Sequence, residues 1–200
     1  MATTDRRTEI IDAVERLLAR GGVTAGTMRA VAAEAGVSLR LVQYYGDTKD
    51  ALLSAALDRL AEKSVERWRA RYRARPTAPM TIITAFFDEA LPTDRAGREF
   101  HRVGVSLEAM AVGDPTGAGQ AYRTHLGALA AHLTDSLRAA GLDASAARLL
   151  GWEVMGLAHG VGTLLMAGQL TAADTEALIG DYLDRLEPRL SEPDTAAGQD

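Results

Sequence analysis

Apolar residues near the start of the chain, Ile10, Ile11, Val14, Leu17 and Leu18, recur at helical spacing between charged ones. This predicts an amphipathic helix from about Arg6 to Arg20, closed by Gly21 and Gly22. The pattern then shortens: Thr27 is an N-cap candidate, Val31, Ala32 and Ala35 give a small apolar face, and Gly36 can end a helix in the left-handed conformation. Ser38 caps a new helix only two residues later, and Thr48 caps a third. Two short helices joined by so tight a turn must cross steeply, which is the geometry of a helix-turn-helix DNA reader.

Downstream, helical spacing continues between Pro and Gly breaks. The helix from Thr48 is predicted to reach about Arg75, with Trp68 and Tyr72 one turn apart, and Pro76 and Pro79 mark a hinge. Further helices are expected at about 80–91, 94–112, 119–140, 144–167 and 172–187, with a loop at GDPTGAG. No strand-like alternation is found, so the fold class is all-α with about nine helices. The expected division is a helix-turn-helix domain over 1–53, a connector helix to about 75, a ligand-binding and dimerisation domain over 76–190 and a flexible tail over 191–200.

In the second short helix, Val37 and Val42 are expected inside, leaving Leu39, Arg40, Leu41, Gln43 and Tyr44 outward. Arg40 can donate to guanine, Gln43 can pair with adenine, and the two leucines can meet thymine methyl groups. Thr27, Arg29, Ser38, Tyr45 and Lys49 are placed to reach phosphates and complete the expected DNA-binding set.

These residues carry a family resemblance. RRTEIIDAVERLLARGG, the AGVS turn and TKDALL make residues 6 to 53 similar to the TetR family of bacterial transcriptional regulators. LVQYYGDTKDALL is especially similar to the subgroup whose C-terminal domain resembles that of the BetI regulators. Two positions depart from the wider pattern, Gln43 where most members carry Tyr and Gly46 where most carry a buried Phe. The resemblance implies a homodimer that binds double-stranded operator DNA, most often as a repressor released by a small-molecule effector. The expected effector contacts on the helices that enclose the family's pocket are Phe86, Phe87, Phe100, His101, Met110, Tyr122, His125, Trp152, Met155 and His159. A packed core needs the same residue types.

The last two helices imply a partner. The first is apolar nearly all round, and Gly156, Gly160 and Gly162 within it favour the close approach of another backbone. Leu157, Gly160, Val161 and Leu164 with Ile179, Tyr182, Leu183 and Leu186 are the expected dimer interface, a four-helix arrangement shared between two subunits.

Charge first argues against nucleic acid, since 22 Lys and Arg face 27 Asp and Glu for a formal net charge of −5. The first 50 residues are neutral, so the acidic excess lies downstream and the local field at the reader decides. With no Cys, thiol chemistry, disulfides and cysteine metal sites are excluded. His125 and His132 have no matching carboxylate at ligand spacing, so no metal and no cofactor are expected. No leader and no unbroken apolar run of roughly 20 residues is found, so a cytoplasmic protein without membrane contact is expected. HExxH, a serine elbow and nucleotide-binding fingerprints are missing, which argues against an enzyme. The alternative is a small-molecule-binding helical protein whose DNA binding has been weakened through Gly46.

Overall fold

The computed structural model describes residues 2–73, 78–113 and 117–191. Among them every regular element is helical: α1 (Ala2–Ala25), α2 (Met28–Ala35), α3 (Leu39–Tyr45), α4 (Lys49–Arg73), α5 (Pro79–Ala90), α6 (Arg95–Gly113), α7 (Gly117–Ala139), α8 (Ala144–Met166) and α9 (Ala172–Ser191). The all-α expectation and the order of nine helices are realised in the described residues. The expected hinge residue Pro76, the end of the fourth helix, most of the GDPTGAG loop and all but the first residue of the tail lie outside them or in side chains that are not described.

Helix α1 starts earlier than expected, at Ala2, and α9 ends later, at Ser191. The regular course of α1 breaks at Gly22, as expected, where φ 63° and ψ −164° are not helical, and a short further turn carries on to Ala25. Helix α9 runs through Pro188 to Ser191, where the ring removes one backbone donor but the chain keeps its helical course.

The chain forms two compact units, residues 1–67 with 92–129 and residues 68–91 with 130–200, so α4 and α7 each contribute to both. In the first, Ile10, Val14 and Leu18 of α1 form one buried cluster with Val31, Val42, Leu53 and Leu57. Val103 and Leu107 of α6 and Tyr122 of α7 complete that cluster, so the three N-terminal helices and α4 do not close their core alone. Charged pairs frame it: Glu15 receives Arg59 at 2.9 Å and Lys63 at 2.8 Å, which ties α1 to α4.

In the second unit, α5 packs against α8 and α9. Its Phe86 and Phe87 continue a ladder of rings from Trp68 to Tyr182, with centroids 5.7, 6.4 and 5.8 Å apart. The Trp68 indole donates to the Ile82 carbonyl at 3.2 Å, which satisfies the one polar atom of a buried ring. Helix α8 is, by length and composition, apolar enough to cross a membrane, although no unbroken apolar run announces it. Arg148 and Glu153 interrupt its sequence, and Leu150, Val154, Ala158 and Val161 are buried in the unit, as in a core helix.

Candidate nucleic-acid interface

Local chemistry sets the geometry of α2 and α3. The Thr27 hydroxyl accepts from the Ala30 amide at 3.2 Å, and Ser38 does the same for Leu41 at 3.2 Å, so both helices start on side-chain caps. Between them Gly36 sits at φ 65°, ψ 32°, and the Val37 amide reaches back to the Ala32 carbonyl at 3.0 Å. That is a Schellman-type ending, which a residue with a Cβ would strain. Thr48 then caps α4 by accepting from Ala51 at 3.1 Å.

The outward face of α3 is Arg40, Gln43 and Tyr44, with Tyr44 74% exposed. Tyr45 meets Tyr44 edge-on, centroids 5.1 Å apart, and packs its other side on the core. Leu39 and Leu41 correct the expected outward set: both are half-buried, and Leu39 packs against the core cluster. The reason is helical spacing, for Leu39 and Tyr45 stand three residues either side of fully buried Val42 and share its face. Thr27, Arg29 and Ser38 are exposed, and Lys49 is half-exposed at the first turn of α4.

Electrostatics separates two kinds of cation in this unit. Arg16 meets Glu34 at 2.7 Å and Arg20 also pairs with it, which fastens α2 across α1. Hydrogen bonds from Arg20 and then Arg16 hold the Glu34 carboxyl down, from 4.5 to about 2. Arg59 is occupied by Asp12 and Glu15, and Lys63 by Glu15. Arg29, Arg40 and Lys49 have no partner among the described residues. Arg29, Arg40 and Lys49 are thus available, while Arg16, Arg20, Arg59 and Lys63 behind them are paired.

Gly46 is buried, and a Cβ built there would overlap the Leu52 side chain. Leu52, itself 3% exposed, therefore fills the space beside Gly46. That removes the motive for reading this junction as loosened.

The expected effector residues fall in both units. In the first, Phe100 and His125 meet edge to face with centroids 6.3 Å apart, and Tyr122 lies 6.3 Å from His125. Burial pushes the Tyr122 hydroxyl up to about 12, with Glu108 adding to it. Burial lowers the His125 pKa against the opposing charge of Asp58. His101 is buried and Met110 half-buried beside the same core. In the second unit, Phe86, Phe87 and Met155 are buried and His159 is half-buried. Trp152 is instead 48% exposed on the outer face of α8. Among the described residues no group of three His, Asp or Glu is placed to hold a metal ion.

Burial also corrects the expected interface on α8 and α9. Val161, Ile179 and Leu186 are buried within the chain itself, and Leu157, Tyr182 and Leu183 are half-buried. Tyr182 donates to Glu153 at 3.1 Å, and Arg189 grips the same carboxylate through both terminal nitrogens at 3.1 and 3.3 Å, which joins α8 to α9. The outer stripe is Leu149, Trp152, Gly156, Gly160 and Leu164, with nothing near either glycine. Leu149 is absent from the expected set. Its spacing from Trp152, Gly156 and Gly160 was the available signal, but the buried stripe was equally apolar.

Among the described residues the elements are all helical, and a capped helix-turn-helix of this geometry has the form used by DNA-reading domains. Residues 10–56 match the family model described as bacterial regulatory proteins, tetR family. Over 65 residues the chain is 38% identical to the HTH-type nicotine-responsive transcriptional repressor HdnoR of Paenarthrobacter nicotinovorans, covering 32% of this chain and 34% of that protein. The chain thus spans about a third of the length of that relative. Over nearly its whole length it is similar to a TetR-family member from Streptomyces coelicolor A3, with TM-score 0.66, 28% identity and coverage of 92% and 97% of the two chains. It is likewise similar to the multidrug binding protein EbrR complexed with imidazole, with TM-score 0.68, 27% identity and coverage of 95% and 97%. The N-terminal helix-turn-helix is thus similar to that of the tetR family, and the fold is similar to that of these solved structures.

Proposed function

We propose that this protein is a cytoplasmic, dimeric, ligand-responsive transcriptional regulator that reads double-stranded operator DNA and acts as a repressor released by a small molecule. The observation that carries the DNA-reading part is the placement of Arg29, Arg40 and Lys49, cations with no partner among the described residues, around exposed Gln43 and Tyr44. Such cations release counterions on meeting phosphate, while Arg and Gln on the outward helix face supply base contacts.

Operator contacts are assigned to Thr27, Arg29, Ser38, Arg40, Gln43, Tyr44 and Lys49, with half-buried Leu41 at the edge. The likeness to a multidrug-binding protein supports an effector site, and the aromatic and His side chains of α6 and α7 fit a mostly apolar ligand. The narrower likeness to the subgroup with a BetI-like C-terminal domain belongs to the same proposal. Dimerisation is assigned to the outer stripe of α8, whose small residues let a second backbone approach. No catalytic step is assigned to any residue.

The test is selection of duplexes from a random library on the full-length chain, followed by gel shift on the enriched sequence and on DNA upstream of its coding region. Enrichment of a sequence with two related half-sites is the expected result. Equal retention of all duplexes, or of none, overturns the reading.

A further inference from the structure

Helix α1 does not end where its regular hydrogen bonding ends. At Gly22, φ 63° and ψ −164° turn the Val23 amide away from the helix axis, so the Ala19 carbonyl four residues earlier loses its regular donor. A side chain from another helix reaches that carbonyl: Arg102 of α6 donates from Nη1 at 2.5 Å. One turn further along α6, Ser106 lies against the kink itself, close enough that a Cβ on Gly22 would stand 2.6 Å from its hydroxyl oxygen. The Ser106 hydroxyl is turned back to the Arg102 carbonyl at 2.8 Å, which keeps that side of α6 slim.

The reading helices come directly after the kink. Val23 is buried in the shared core, Gly26 donates to Val23 at 3.3 Å, and Thr27 opens α2. Val103 and Leu107, the neighbours of Arg102 and Ser106 on α6, are buried in the same cluster as Val31 and Val42 of the helix-turn-helix. The last turn of α1 is therefore held from one side by α6 and leads straight into α2 and α3.

We infer that Arg102 and Ser106 form a seat on α6 for the broken end of α1, and that Arg102 is a positioning residue for DNA reading although it lies 62 positions from Arg40 in sequence. The inference rests on the DNA-reading proposal above. Arg102 is exposed and makes one bond to a carbonyl, so its role is to fix a direction rather than to carry global stability. Held in place, the end of α1 presents α2 and α3 in one pose. Released, it lets the same helices keep their fold but lose their register on two half-sites. The α6 helix also carries Phe100, so displacement of that ring by a ligand has a short path to the reader through the same seat.

Arg102→Met keeps the stem and removes the donors; Arg102→Lys restores a charged donor. On a duplex selected by the full-length wild-type chain, Arg102→Met is expected to bind about tenfold more weakly, the scale of one charge-assisted hydrogen bond. Binding to a scrambled duplex and the melting temperature should barely change, and Arg102→Lys should recover most of the affinity. Amide exchange at Val23 and Ala25–Thr27 should rise about tenfold in Arg102→Met without DNA present. Unchanged exchange in that variant, or equal loss on selected and scrambled duplexes, overturns the positioning role while DNA reading stands. If the wild-type chain enriches no duplex, the reading proposal falls and this inference falls with it.

Discussion

Leu52 occupies the space beside Gly46, so the two residues at the junction of α3 and α4 are complementary in size: one has no side chain because the other already fills the site. A Cβ on Gly46 would overlap Leu52, whose movement is limited by its own burial. Gly46→Phe is therefore expected to lower the melting temperature, at an overpacking cost of about 1–3 kcal/mol. Leu52→Ala alone should cost about 2–5 kcal/mol by leaving a cavity. Gly46→Phe with Leu52→Ala should be more stable than the sum of the single changes predicts, as expected of residues sharing one space. Thermal melts of the four proteins decide it, and strict additivity would contradict the pairing.

Contacts to bases and contacts to phosphates should separate by their response to sequence and salt. Arg40→Ala or Gln43→Ala is expected to cost about 1–3 kcal/mol on the selected operator and to relax preference at one base pair per half-site. Lys49→Ala should weaken all duplexes alike and reduce the slope of log affinity against log salt by about one. Fluorescence anisotropy over a salt series reads both quantities.

The Glu34 carboxyl makes the seating of α2 on α1 acid-sensitive. Its pKa is held down, from 4.5 in the unfolded chain to about 2, by hydrogen bonds from Arg20 and Arg16. A depressed folded-state value contributes stability that is fully present above the unfolded value and is lost as pH falls toward the folded one. Glu34→Gln should accordingly be less stable than wild type at neutral pH, and the gap should close between pH 4.5 and 2. A gap in melting temperature that stays constant over that range would count against the clamp.

Outer and inner faces of α8 should respond differently to substitution. Space around Gly160 is open within the chain, so Gly160→Leu leaves its own fold intact and should yield folded monomers if this face pairs two chains. Trp152→Glu should do the same, as the ring is exposed. Val161→Asp and Leu186→Asp should unfold the second unit instead, since each buries a charge in its own core. Sedimentation velocity and circular dichroism distinguish dissociation from unfolding.

Local chemistry made much of this protein legible in one dimension. Thr27, Gly36, Ser38 and Thr48 each act through backbone groups within a few residues, so caps, the tight turn and the starts of α2, α3 and α4 could be read from their neighbours alone. Helical spacing likewise announced the nine helices seen among the described residues. Where two faces of one helix are equally apolar, spacing cannot choose between them: on α8 the buried stripe through Leu150 and Val161 and the outer stripe through Leu149 and Trp152 look alike in sequence. That choice, the filling of the Gly46 space by Leu52 and the seating of α1 on Arg102 depend on which surfaces meet across the fold. Only tertiary packing decided them, because a side chain's inward direction is set by what stands opposite it, and no residue carries that information alone.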